Sequence, residues 1–145
     1  MQHKRQSSTT ADLAFYAYRD MASCDWTPFI KAAVERNPVC VRMAGSMPLD
    51  EVYAWLGQMK DVSIYDQQRL AQPDEVANYR TGDGLEKAFV LANIMRQRSP
   101  AQEVQLVADK NDITLKGPKE YHFASGKGLQ KTVHIPPEGG PPVVE

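Results

Sequence analysis

Hydrophobic residues follow a helical period through the first hundred residues and alternate with polar residues after Pro100. The clearest helical stripe covers residues 48–60, where apolar side chains recur at helical spacing: Leu49, Val52, Tyr53, Leu56 and Met59. Similar patterns predict helices at residues 11–22, at 27–36, at 73–79, and from Gly84 or Leu85 to about Gln97. Residues 39–41 and 62–65 are predicted to be short extended segments.

The helix that follows Asp83 differs from the others because apolar side chains cover nearly its whole circumference. They are Phe89, Val90, Leu91, Ala92, Ile94 and Met95. A helix that is apolar all round belongs in the middle of a fold. Asp83 and Glu86 stand three positions apart, so Asp83 can cap the helix while Glu86 reaches back in an acidic capping box.

Beyond Pro100 the period changes to that of strands. Val104, Leu106 and Ala108 alternate with polar residues, residues 110–112 predict a turn, and residues 113–115, 121–123 and 132–135 predict further strands. Residues 125–128 are predicted to separate the last two of these. The sequence therefore predicts an α+β fold, with N-terminal helices and a buried central helix packed on an antiparallel sheet. We expect one domain over residues 10–135, a disordered segment at 1–9 and a flexible Pro/Gly-rich tail at 136–145.

Composition excludes several classes of partner. The 145 residues carry a net charge of −1, which argues against a bulk electrostatic preference for nucleic acid or membrane. No apolar run approaches the roughly 20 residues of a membrane span. Residues 1–10 are polar, and no apolar signal segment follows them. These features predict a cytoplasmic protein with neither a nucleic-acid nor a membrane partner.

The two cysteines, Cys24 and Cys40, form no CxxC pattern, and His122 and His134 lie far from them in sequence. Metal-ligand spacing is therefore absent, and no metal or other cofactor is expected. Buried free thiols are the favoured interpretation, because an unpaired cysteine behaves as a small hydrophobic residue. A disulfide and a reactive thiol remain as alternatives.

Residues 80–88 are the segment most relevant to function. They are predicted to form a tight turn that leads directly into the N-terminus of the apolar helix. Many enzymes place a nucleophile or bind an anion at such a point, because unpaired amides and the helix dipole both favour negative charge there. Gly84 occupies the position best placed for a nucleophile, and it has no side chain. In the plainer interpretation it is an open turn residue that lets backbone approach closely.

The motif Gly82-Asp83-Gly84-Leu85-Glu86-Lys87-Ala88, together with the order of elements around it, resembles the transglutaminase-like core, a papain-related fold. In that family the segment reads Gly-Asp-Cys, then an acidic pair, Lys or Arg, and Ala. The Cys opens the central helix, and a His and an Asp come from the strands that follow. The resemblance covers roughly residues 48–135.

Position by position, Gly82, Asp83, Lys87 and Ala88 match the family, and Glu86 matches an acidic position. Gly84 stands where the family has its nucleophilic Cys, and His122 is placed on a following strand at a plausible separation. For the third member of the triad no Asp follows Asp112, and the tail offers only Glu138. The resemblance thus implies a degenerate site whose covalent route is closed, since a thiolate is required.

Three functions are compatible with these residues. The favoured one is a non-catalytic module that binds or assembles a protein or peptide partner through Asp83, Gly84, Glu86, Lys87 and His122. The second is a hydrolase or acyltransferase that uses His122 with Asp83 or Glu86 and a bound water. The third is a small α+β adaptor unrelated to the family, in which Asp83 and Glu86 merely cap a helix. In this plainer interpretation Lys87 is a solvated helix residue and His122 lies on the surface.

Overall fold

The structure is a computed structural model that describes residues 21–22, 25–137 and 141–145. Most of the first predicted helix, the predicted disordered segment at 1–9, Cys24 and Glu138 lie outside these residues.

Within the described residues, five helices precede a small antiparallel sheet, which confirms the α+β class. The helices are α1 (Thr27–Glu35), α2 (Pro38–Ala44), α3 (Leu49–Gln58), α4 (Pro73–Tyr79) and α5 (Gly84–Arg98). The strands are β1 (Val104–Lys116), β2 (Glu120–Ile135) and β3 (Val143–Val144), in the order β1-β2-β3.

Helix α5 lies at the centre of the fold, as its apolar circumference predicts. Every residue from Gly84 to Met95 is buried, and the helix packs against α1, α2, α3 and α4 as well as both long strands. The Phe89 ring contacts the Phe29 ring edge-on at 5.3 Å and lies 6.5 Å from the Trp26 ring. These contacts make α5 the element around which the hydrophobic core is built.

The extended segment predicted at residues 39–41 is wrong, because these residues belong to α2. Pro38 occupies the first helical turn, where its fixed φ and missing N–H cost nothing. The carboxylate of Asp74, from α4, accepts hydrogen bonds from the amides of Val39 at 3.0 Å and Cys40 at 2.8 Å. The helix is thus capped by a side chain about 35 positions away, which a local pattern does not reveal.

The predicted turn at residues 110–112 is wrong, since β1 is one continuous strand. β2 is also continuous, so the predicted break at 125–128 does not end a strand, but these four residues have no partner on β1 where the register shifts. A bulge takes the place of the turn, with Lys110 at φ 58° and the register moving from Lys110↔Leu129 to Asp112↔Ala124. The bulge shifts the inward-facing positions from even to odd numbers along β1, so both apolar groups of that strand reach the core.

Two other segments differ from their predicted conformations. Residues 62–65 form no strand; Lys60 instead makes an isolated parallel bridge to Thr81. At the C-terminus, β3 pairs with Val133 and His134 of β2. Thr132 and Glu145 exchange two backbone hydrogen bonds of 3.0 and 2.8 Å. The end of the segment predicted to be a tail is therefore paired with the sheet.

The position of α5 predicts a large effect of Leu91→Ala. Leu91 is fully buried, and removing such a side chain leaves a cavity that destabilises a domain by about 2–5 kcal/mol. Urea denaturation measures the change in the free energy of unfolding. Val62→Ala is the matched control, because Val62 is 63% exposed and its truncation should change stability by less than about 0.5 kcal/mol. Equal stability of the two variants would contradict a core centred on α5.

Candidate functional site

A groove of about 660 Å³ opens over the N-terminus of α5, between α3 and β2. Its wall on α3 consists of Tyr53, Ala54 and Gly57, followed by Asp61. Its floor and opposite wall are formed by the start of α5 and by β2: Asp83, Gly84, Lys87 and residues 122–126. Four of the five residues predicted to bind a partner line this groove.

Asp83 joins the start of α5 to β2. Its carboxylate accepts hydrogen bonds from the amide of Leu85 at 2.9 Å, the hydroxyl of Ser125 at 2.6 Å and the amide of Gly126 at 2.7 Å. The first of these is the predicted helix cap, which is confirmed. The other two explain why residues 125–126 stay within a strand, because a buried carboxylate holds their polar groups.

Glu86, the fifth predicted residue, lies beneath the groove and is fully buried. Its carboxylate accepts hydrogen bonds from the amides of Asp83 at 2.8 Å and Ala71 at 2.7 Å, and from the Ser63 hydroxyl at 2.7 Å. Burial raises the pKa of Glu86, and these donors offset only part of that effect. The carboxylate thus fastens the loop before α4 to the cap of α5.

A buried cation, Lys127, completes this polar layer. The ammonium group of Lys127 donates to the Tyr65 carbonyl at 2.9 Å. Burial lowers the pKa of Lys127, while the nearby charges of Glu86 and Asp83 act in the opposite direction. The polar residues under the groove are therefore matched to one another by charge and by hydrogen bonds.

The interpretation of Lys87 as a solvated helix residue is wrong, because its side chain is only 2% exposed. Its ammonium group donates to the Met59 carbonyl at 3.0 Å and to the carboxylate of Asp61 at 2.5 Å. The Asp61 side chain is 81% exposed. An interior cation at the groove is thus paired with an acid that lies almost entirely in solvent.

Gly84 is in contact with the backbone of β2. A Cβ atom added at this position would lie 1.9 Å from the Ala124 carbonyl oxygen and 2.6 Å from its carbonyl carbon. Such distances are far below van der Waals contact, so neither alanine nor cysteine fits unless the strand moves away. Close approach of two backbones is a recognised reason for glycine, and here it explains the residue at 84.

His122 lies on the rim of the groove with its side chain 67% exposed. Its Nδ1 is 3.5 Å from the Thr114 hydroxyl, and its Nε2 is 3.6 Å from the Glu120 carboxylate. The hydroxyl of Tyr53 donates to its backbone carbonyl at 2.5 Å. Both ring nitrogens therefore face polar groups of the β1–β2 hairpin, while the backbone of His122 is fixed to α3.

Sequence reasoning missed the aromatic side of the groove. The Tyr53 ring lies 5.3 Å from the Phe123 ring and 5.0 Å from the Tyr121 ring. Tyr53 was expected only as part of the apolar stripe of α3, and Phe123 only as part of a strand. Both side chains are half-buried. A pattern of apolar positions does not distinguish a half-buried side chain from a fully buried one.

Cys40 is a buried free thiol, as its favoured interpretation predicts. Burial raises its pKa to about 12, and a hydrogen bond from the Asn93 side chain at 3.1 Å offsets this only in part. The thiol lies at α2, outside the groove. Among the described residues, no cluster of three or more His, Cys, Asp or Glu side chains is arranged to hold a metal ion.

The contact between Gly84 and β2 predicts that Gly84→Ala destabilises the protein by about 1–3 kcal/mol or more, as overpacking does. Gly57→Ala is the matched control, because a Cβ atom at position 57 meets nothing within 4 Å. Alanine is favoured over glycine inside a helix by about 1 kcal/mol, so the control should gain stability. Chemical denaturation of both variants measures the difference, and a neutral Gly84→Ala variant would contradict the close contact.

The raised pKa of Cys40 predicts slow alkylation in the native protein. At pH 8 a thiol with a pKa of about 12 is almost entirely protonated, and only the thiolate reacts. Iodoacetamide labelling followed by mass spectrometry tests this in a Cys24→Ser variant. Rapid labelling is expected only in denaturant. The protonated thiol also contributes to the stability of the fold. This contribution is complete below the pKa that Cys40 has in the unfolded chain, and it is lost as the pH rises towards 12. Fast labelling of the native form would show that Cys40 is accessible.

Comparisons with known proteins leave the family open. No protein-family model matches the chain, and searches of curated proteins and of solved structures return no match either. In the part of the chain that the structure describes, none of the helices is both long enough and apolar enough to cross a bilayer.

Proposed function

We propose that this chain is a non-catalytic binding module, related to the transglutaminase-like core, that holds a segment of a partner protein in the groove over α5. The observation that carries the proposal is the combination of an open groove with a helix start that has no side chain at its first position, Gly84. The proposal keeps the cytoplasmic location predicted from the sequence.

The groove's own residues support a role without covalent chemistry. Acyl transfer requires a nucleophile with an adjacent general base. Among the groove residues, Ser125 and Tyr53 carry hydroxyls. The Ser125 hydroxyl is buried, donates to Asp83 and accepts from the Lys127 amide at 3.1 Å, and the Tyr53 hydroxyl donates to the His122 backbone carbonyl. The thiol of Cys40 lies elsewhere and has a raised pKa. A water molecule activated by His122 is the remaining route.

That route, the alternative hydrolase, has weaker support. It needs His122 and a carboxylate that converge on one water within hydrogen-bond reach. The oxygens of Glu86 are occupied by three donors below the groove, and those of Asp83 by three others. Both carboxylates are therefore engaged in holding the fold together.

The shape and chemistry of the groove favour a peptide segment. Its volume of about 660 Å³ falls within the range typical of ligand sites, which is about 300–1,000 Å³. Ala54 and Gly57 leave the α3 wall flat, and the Tyr53 and Phe123 rings offer an apolar surface at the rim. On the other side residues 124–126 of β2 line the groove.

Blocking the groove tests the proposal. Gly57→Trp places a large side chain into open space on the α3 wall, and Gln58→Trp adds the same side chain to an exposed neighbour outside the groove. Peptides selected from a displayed library on the wild-type protein should bind Gln58→Trp equally well. They should lose at least about tenfold in affinity for Gly57→Trp.

Catalysis is tested in parallel with amide and ester substrates and with intact-mass detection of an acyl-enzyme. We expect neither turnover nor a covalent adduct. Turnover that persists after removal of both cysteines and is lost in His122→Ala would reject the proposal in favour of the hydrolase. Selected peptides that bind both tryptophan variants equally would place the binding site outside the groove.

A further inference from the structure

The ion pair between Lys87 and Asp61 is asymmetric. The ammonium group is buried at the start of α5, and its carboxylate partner is almost fully exposed on the segment between α3 and α4. A buried ammonium without a partner costs several kcal/mol, so the cation must always be paired. The carboxylate itself is already hydrated, so it returns to solvent at small cost once another anion takes its place beside the ammonium group.

Both members of the pair line the groove. An ammonium group has three N–H donors, and two of those on Lys87 are used by Met59 and Asp61. Because Lys87 and its Asp61 partner both line the groove, a ligand carboxylate in the groove can reach the ammonium group at the position that Asp61 now holds. Exchange of one carboxylate for another keeps the interior cation neutralised and releases Asp61 into solvent.

From this geometry, and on the basis of the proposed function, we infer that the groove takes a ligand carboxylate, such as the C-terminus of a peptide, which displaces Asp61 from Lys87. Asp61 is then an internal competitor that occupies the site when no ligand is bound. Tyr53 and Phe123 lie in the same groove, so the preferred carboxylate belongs to a residue with an apolar or aromatic side chain.

The other charges at the groove are compatible with this inference. The other acid of the lining is Asp83, whose oxygens are already bound by Leu85, Ser125 and Gly126. Lys127 lies close enough to Asp83 for their charges to interact. The start of α5 also contributes the positive end of a 15-residue helix. A ligand carboxylate that replaces Asp61 leaves the net charge of the groove as it is now.

A pair of small probes tests the inference with the full chain. N-acetylphenylalanine carries the carboxylate, and N-acetylphenylalaninamide has the same shape without the charge. Chemical-shift titration of the backbone amides at millimolar probe concentrations detects weak binding. The proteins compared are wild type, Asp61→Asn, Lys87→Met and the control Asp66→Asn, which removes another exposed, ion-paired carboxylate outside the groove.

We expect the acid to shift the amides of Gly84, Ser125 and Gly126, and the amide probe to bind at least about tenfold more weakly. Asp61→Asn should bind the acid about tenfold more tightly than wild type, because the competitor is gone, and Asp66→Asn should match wild type. Asp61→Asn should also have a lower Tm that the acid partly restores. Lys87→Met should lose the preference for the acid.

Equal binding of the two probes, or an unchanged affinity in Asp61→Asn, would overturn the carboxylate inference and leave Lys87–Asp61 as a purely structural ion pair. Absence of shifts with the acid in both wild type and Asp61→Asn would overturn it too. The proposed function is decided separately by the Gly57→Trp comparison, since displayed peptides that bind the groove through internal residues support the module without the carboxylate.

Discussion

The groove depends on the contact that holds the first turn of α5 against β2. Asp83 binds the hydroxyl of Ser125 and the amide of Gly126, and Gly84 lies directly against the backbone of Ala124. The carboxylate caps the helix and anchors the strand with the same two oxygens. Because the strand cannot approach any other residue type at position 84 this closely, the cap, the glycine and the groove wall form one arrangement.

Elements with local signals could be predicted from the sequence. The apolar stripe of α3, the apolar circumference of α5 and the Asp83–Glu86 capping box are all encoded within a few residues of where they act. Elements that depend on distant partners could not be predicted. Helix α2 needs the carboxylate of Asp74 from α4, and the burial of Lys87 needs the Met59 carbonyl and Asp61.

The candidate site shows the same division. Sequence alone identified Asp83, Gly84, Lys87 and His122, which line one groove, and it offered two reasons for Gly84: a lost nucleophile, or a turn glycine that lets backbone approach closely. The structure supports the second reason and identifies the backbone that approaches, which belongs to a strand 40 positions further along the chain. Under the proposed relationship to the transglutaminase-like core, loss of the side chain and close packing of β2 are then two aspects of one change.

The hairpin of β1 and β2 bears on how the molecule assembles. Residues 117–119 join its two strands. The pairs nearest this short connection, such as Lys116↔Glu120, therefore link residues that are close in sequence. Asp83 and Ser125, in contrast, are 42 positions apart, so their contact closes a much longer loop. Because residues of β2 form one wall of the groove, a nascent chain lacks that wall until β2 has emerged.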